Sequence, residues 1–363
     1  MASDDADPLL EATTALLPPL LAALDALARA GRLLHPPHID ALAGGLTPFR
    51  EPLSRGVDAF AAVSWPAHLD DFASAARTAA DQALAALDGF AGASATANPA
   101  IAAYRALGRQ TAALEALYPV AAMLPPVSRF FLNEPQRDDE ALQAQLLAAD
   151  PGRPDIGVLH ADNGLDERGG VSLYVPESYD AAEPLPLVVA LHGGSGHGRR
   201  FLWSWLRDAR SLGAIVLAPT SRDGTWSLMG PDRDSARLAA MVERACEQWA
   251  VDRRRILLTG MSDGGTFSYL AGLQDDAPYT HLAPISAAFH PMLLEAASAG
   301  RVRGLPVYLA HGALDWMFPA DMARMARDAL TAAGADVTYR EIDDLSHTYP
   351  REENTRILEW LAK

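Results

Sequence analysis

The chain reads as an α/β protein with a mostly parallel sheet, preceded by an all-helical region. Three observations lead there. Up to about residue 150 apolar residues recur at spacings of three and four. Beyond about residue 170, short β-branched runs alternate with helix-like stretches. A length of 363 residues also fits two domains of roughly 150 residues or more. The expected domains are 1–150 and 151–363, joined by Asp150-Pro151-Gly152-Arg153-Pro154.

In the first region, Ala67 through Leu84, Leu87 and Phe90 fit one apolar helical face. Asn98-Pro99 reads as an N-cap followed by proline at the first helical position, opening a helix through Ile101, Tyr104, Leu107, Leu114 and Leu117. Asp138 is expected to cap a helix ending near Ala149. Breaks are expected at Pro18-Pro19, Pro36-Pro37, Gly44-Gly45, Pro125-Pro126 and Pro135. No fixed-period repeat is present. The roles open to this region are a lid, a dimerisation surface (hence a homo-oligomer) and a substrate-docking module.

In the second region the expected strands are Val171–Val175, Leu187–Leu191, Ala214–Ala218, Arg255–Thr259, Leu282–Ser286, Val307–Ala310 and Val337–Ile342. Several are solid apolar runs, as expected of strands covered on both faces.

Composition narrows the function. With 49% hydrophobic and 21% charged residues, the chain as a whole is not disordered or collagen-like. Thirty Lys and Arg stand against 46 Asp and Glu, a net charge of −16, which argues against nucleic acid and anionic lipid as partners. The single cysteine, Cys246, precludes an intrachain disulfide and reads as a small buried residue. The acidic start, MASDDADPLLE, lacks the basic segment of a signal peptide. The apolar stretch ALLPPLLAALDALARA is interrupted by Pro18, Pro19, Asp25 and Arg29, short of the roughly 18 residues of a membrane span. A soluble cytoplasmic protein is the expectation.

The chemistry concentrates where strands end. In RILLTGMSDGGTFSYLAGL an apolar strand runs into Gly260-Met261-Ser262-Asp263-Gly264, and a helix-like stretch follows. This is G-x-S-x-G in a strand–turn–helix setting, where glycines permit a sharp turn that lifts the Ser262 hydroxyl above the sheet. The bare pattern is weak; its setting carries the weight. A serine hydroxyl needs a base, and the base an orienting carboxylate. Asp315 follows the strand VYLAHG, and His347 follows the next strand; both positions lie just past strand ends, where ligands gather in open α/β sheets. Asp343 and Asp344 lie too close in sequence to His347 to be the first choice. The run Leu187 to Leu191 opens into His192-Gly193-Gly194-Ser195-Gly196, a source of N–H donors for an oxyanion. The expected donors are the amides of Asp263 and Gly194, with Ser195 as the next candidate. This loop lacks the Lys-Ser/Thr of a phosphate-binding loop and the spacing of a dinucleotide fingerprint. His192 reads as a turn-shaping residue. His197, His281, His290 and His311 show no metal-ligand spacing, so neither metal nor cofactor is expected. Trp203, Trp226, Trp316 and Phe318 are candidate apolar walls for substrate, Trp226 and Trp316 foremost.

The strings LHGGSGHG, GMSDGG, GALD with Pro319, and Ser346-His347 together resemble the α/β-hydrolase superfamily over about residues 170–350. Within it they are similar to the compact phospholipase/carboxylesterase-type serine esterases, close to polyhydroxybutyrate-depolymerase-like and feruloyl-esterase-like proteins. The resemblance implies the oxyanion-loop, nucleophile, acid and base roles already assigned. Two departures stand out. The compact esterases often carry Gln after the nucleophile, where this chain has Asp263, whose carboxylate would disfavour anionic substrates or bind a cationic group. The helical N-terminal region is also no part of the compact pattern. The expectation is a serine carboxylic-ester hydrolase acting through an acyl-enzyme on a small-molecule or oligomeric ester. A serine peptidase or amidase, a thioesterase, and a non-catalytic binding protein with a vestigial site are the alternatives.

Overall fold

A computed structural model describes residues 7–229, 232–295 and 297–363. The chain divides into two units after Phe131, nineteen residues before the boundary expected at 150. The reason lies at Asn133, whose amide donates to Ser211 Oγ (2.8 Å) and whose side chain donates to Asp208 Oδ1 (2.8 Å) and Thr355 Oγ1 (3.1 Å). Those bonds tie the segment to the second unit well before the proline-rich stretch. Arg153 in that stretch is itself anchored, through Asp155 and the Tyr179 carbonyl.

The first unit consists of α1 (Pro8–Arg32), α2 (Ile39–Ala61), α3 (Asp70–Ala91), α4 (Pro99–Leu117) and the short α5 (Pro125–Phe130). Asp7 caps α1 by accepting from Leu9 N, and Asn98 caps α4 by accepting from Ile101 N, as the Asn98-Pro99 pair predicts. The core joins Leu16, Leu20, Leu24 and Leu27 of α1 to a face of alanines at 76, 79, 80, 83 and 86 of α3. Two expected breaks do not occur. Pro18-Pro19 lies inside α1, and Gly44-Gly45 lies inside α2. Burial of long apolar faces outweighs the local cost of these residues. Continuous through its prolines, α1 is the one described helix long and apolar enough to cross a bilayer by length and composition alone; its Leu16, Leu17, Leu20, Leu24 and Leu27 are buried.

Pro19 removes the i+4 helical donor to the Ala15 carbonyl. Gly56 of α2 packs against that oxygen: a Cβ at 56 would stand 2.6 Å from Ala15 O and 3.0 Å from Leu16 Cα.

The second unit opens with α6 (Glu140–Ala148), capped by Asp139 rather than Asp138. An eight-stranded sheet follows, comprising β1 (Gly157–Ala161), β2 (Val171–Val175), β3 (Leu185–Leu191), β4 (Ile215–Pro219), β5 (Val251–Met261), β6 (His281–Ile285), β7 (Pro306–Gly312) and β8 (Asp336–Ile342). Its order is β1-β2-β4-β3-β5-β6-β7-β8. The β1–β2 and β2–β4 pairs are antiparallel and the rest parallel. The seven expected strands form, with ends shifted by a few residues. The unexpected β1 is a short edge strand, half-buried to exposed and without an apolar run. Helices α7 (Gly198–Phe201), α8 (Leu206–Leu212), α9 (Ser235–Gln248), α10 (Asp263–Gly272), α11 (Met292–Glu295), α12 (Ala299–Val302), α13 (Ala320–Ala332) and α14 (Glu352–Leu361) complete the unit. Consecutive residues Leu187, Val188, Val189, Ala190 and Leu191 of β3 are all fully buried, so both faces of the central sheet are covered. This is why the central strands read as solid apolar runs.

Gly→Ala in a helix interior ordinarily stabilises by about 1 kcal/mol. At Gly45, where an added Cβ meets nothing within 4 Å, that gain is expected. At Gly56 the contact with Ala15 O reverses the sign, with a net loss of about 1–2 kcal/mol from overpacking. Urea midpoints of Gly45→Ala and Gly56→Ala should therefore move in opposite directions. A rise for both would remove the close α1–α2 approach from the account.

Candidate active site

The carboxyl ends of β3, β5, β7 and β8 carry the candidate groups. At the end of β5 the chain turns into α10 within one residue, and Ser262 takes φ 56° and ψ −120°. This left-handed geometry costs a side-chain-bearing residue about 1–3 kcal/mol. The turn is that tight because α10 packs straight onto β3: a Cβ at Gly264 would overlap Leu191 O and stand 2.5 Å from His192 O. Ser262 N donates to Ile285 O of β6, and Ser262 O accepts from Thr266 N, so the backbone on either side of the hydroxyl is fixed.

Three expected residues meet. His347 Nε2 lies 3.0 Å from Ser262 Oγ, and His347 Nδ1 donates to Asp315 Oδ2 at 2.8 Å. It is Asp315, rather than the rivals Asp343 and Asp344, that holds this face of the imidazole. Asp315 Oδ1 accepts from the amides of Met317 (2.9 Å) and Phe318 (2.8 Å). Burial alone would raise the Asp315 pKa. The hydrogen bonds from His347 and Phe318 N–H, with the fields of His347 and His311, outweigh it and hold the carboxyl below its ordinary range. Ser262, Asp315 and His347 are 8%, 8% and 5% exposed, so these bonds are shielded from water. Phe318 meets the His347 ring edge-on, with centroids 5.3 Å apart.

The loop after β3 supplies the other side. Gly194 N–H and Asp263 N–H have no acceptor among the described residues. Ser195, the next candidate, is ruled out as a donor because its amide is spent on Gly224 O at 2.7 Å. The loop is locked through His192, whose Nδ1–H donates to Gly193 O (2.7 Å) and whose Nε2 accepts from Ser221 N (3.1 Å). Both ring nitrogens are used in the neutral tautomer, and burial lowers the His192 pKa to about 4. Trp226 clamps the same residue. Its Nε1–H donates to His192 O at 2.8 Å, and its ring packs between His192 and Phe267.

Trp226 is only 2% exposed, at odds with the expectation of a substrate wall: its Nε1–H and ring are engaged with His192 and Phe267. Trp203 is likewise buried. Trp316 is 49% exposed on the loop carrying Asp315, beside exposed Leu314 and Met317.

One contributor was not foreseen. His311, at the end of β7, is 1% exposed; its Nε2–H donates to Phe318 O at 2.8 Å and stands 3.4 Å from Asp315 Oδ2. The available signal was a histidine on a strand end immediately before the Asp315 turn. Among the described residues, no group of three His, Cys, Asp or Glu gathers to hold a metal. Cys246 lies in α9, half-buried, with its thiol pKa raised by that burial.

A tight serine turn between a strand and a helix, followed in the chain by Asp315 and then His347, on a sheet of this order gives the second unit the α/β-hydrolase fold. Residues 230–363 match the phospholipase/carboxylesterase family model. Among curated proteins the chain is similar to the bifunctional acetylxylan esterase/xylanase XynS20E of Neocallimastix patriciarum (27% identical over 158 residues; 42% of this chain and 23% of that protein). It is also similar to feruloyl esterase C of Emericella nidulans (28% over 134 residues; 34% of this chain and 49% of that protein). The chain thus spans less than half the length of these relatives. Similar solved structures include a thermostable esterase (21% identity, 57% of this chain and 62% of that one, TM-score 0.47). Another is a truncated carbohydrate esterase from gut microbiota (12% identity, 58% and 97%, TM-score 0.47).

Neutral, buried His192 links the loop to pH. Its native pKa lies near 4 against 6.5 for an ordinary histidine. Between those values the unfolded chain binds a proton that the native state refuses, so stability falls as pH drops from 6.5 towards 4. His192→Gln should reduce that slope in urea midpoints measured across the same interval. An unchanged slope would mean that His192 titrates normally in the native protein.

Proposed function

We propose that this protein is a serine carboxylic-ester hydrolase working through an acyl-enzyme. The carrying observation is the unbroken hydrogen-bond chain from Ser262 Oγ through His347 to Asp315. Ser262 Oγ attacks the ester carbonyl carbon while His347 Nε2 takes its proton. Asp315 holds the imidazole with Nδ1 protonated and stabilises the imidazolium that forms. The carbonyl oxygen, now anionic, is received by the amides of Gly194 and Asp263; one such donor typically contributes about 3–4 kcal/mol. His347 returns its proton to the leaving alcohol, and the ester C–O bond breaks. Water, deprotonated by His347, then attacks the acyl carbon and releases the acid and Ser262.

Similarity to acetylxylan and feruloyl esterases supports ester rather than amide substrates. The same machinery would serve an amidase or a thioesterase, so matched aryl ester, thioester and anilide substrates decide among them. The ester is expected to be turned over fastest. An activated aryl ester should give a burst of alcohol stoichiometric with enzyme. Ser262→Ala should lower kcat by about 10³ or more, and Asp315→Asn by a comparable order. Near-normal turnover by Ser262→Ala would contradict the nucleophile, and damage from Asp343→Asn or Asp344→Asn in place of Asp315→Asn would contradict the acid.

A further inference from the structure

We propose that the Asp263 carboxylate sets the charge selectivity of this site, favouring esters that carry a cationic group and rejecting anionic ones. The inference rests on the ester-hydrolase reading above. Asp263 directly follows Ser262, and its carboxylate turns towards the oxyanion loop. Oδ2 accepts from Thr225 Oγ1 at 2.6 Å, and a Cβ built on Gly194 would stand 2.6 Å from the same oxygen. The charge therefore lies against Gly194 in the loop after β3. No cationic side chain pairs with Asp263 among the described residues, and Oδ1 receives no hydrogen bond from them. The residue is half-buried, so water screens the charge only in part. A carboxylate in the first turn of α10 is favourable to the helix, which explains why the fold tolerates it. That does not explain its contact with the oxyanion loop. In this position it repels a second negative charge close to the scissile carbonyl and attracts a positive one.

The test uses three 4-nitrophenyl esters with acyl chains of equal length, ending in trimethylammonium, tert-butyl or carboxylate. The first two are matched in shape and differ in charge. In the wild type kcat/KM should fall in the order cation, neutral, anion. Asp263→Asn, which keeps the shape and a partner for Thr225, should shrink the cation-to-anion ratio by about tenfold or more. Thr225→Val, which keeps the charge, should preserve the ratio. Asp276 lies beyond the other end of α10, a helix of ten residues and so about 15 Å long, and Asp276→Asn should change the ratio less than about twofold, separating the local charge from the net charge of the chain. If Asp263→Asn does not fold, as judged by circular dichroism, Asp263→Ser gives the same readout. An active wild type whose ratio is unmoved by loss of the carboxylate, or which takes the anionic ester as readily as the neutral one, overturns this inference alone. A wild type inert towards all three esters contradicts the ester-hydrolase reading and this inference with it.

Discussion

Everything at the site follows from one strained residue. Ser262 occupies a left-handed conformation because the chain must leave a buried strand and enter a helix with no room for a longer turn. The glycines around it let α10 lie directly on β3, which places the hydroxyl at the end of the sheet and leaves the next amide, that of Asp263, unbonded. Relaxing the turn would move the Ser262 hydroxyl and the Asp263 amide together.

Around that turn, burial is used in opposite ways on two histidines' surroundings. His192 is buried where both ring nitrogens already have partners, so it remains neutral and brackets the loop after β3. Asp315 is buried where four groups favour its charge: two backbone amides, His347 and His311. It therefore remains an anion and fixes the tautomer of His347. Held by that anion through Nδ1, His347 presents its Nε2 to Ser262 Oγ at 3.0 Å.

The second unit is legible in the sequence because its constraints are local. Strands buried on both faces write continuous apolar runs, and the turns after them demand glycine, so β3, β5, β7 and the residues Ser262, Asp315 and His347 stand out from residue order alone. The first unit is less so, because long-range packing overrides local propensity at Pro18-Pro19 and Gly44-Gly45. The domain boundary is hidden for a similar reason. A Pro/Gly stretch is conspicuous, whereas the bonds of Asn133 to Asp208 and Thr355 join residues far apart in the chain. Trp226 illustrates the same limit: an aromatic near a catalytic motif looks alike in sequence whether it faces substrate or holds a loop, and only its bond to His192 O separates the two.

The central claim is that Ser262 is the activated nucleophile. Treating the full-length protein with a fluorophosphonate and mapping the adduct by peptide mass spectrometry tests it most directly. The account predicts one phosphonylated residue, Ser262, with labelling lost in His347→Ala. An unlabelled protein, or an adduct on another serine with Ser262 unmodified, would contradict it.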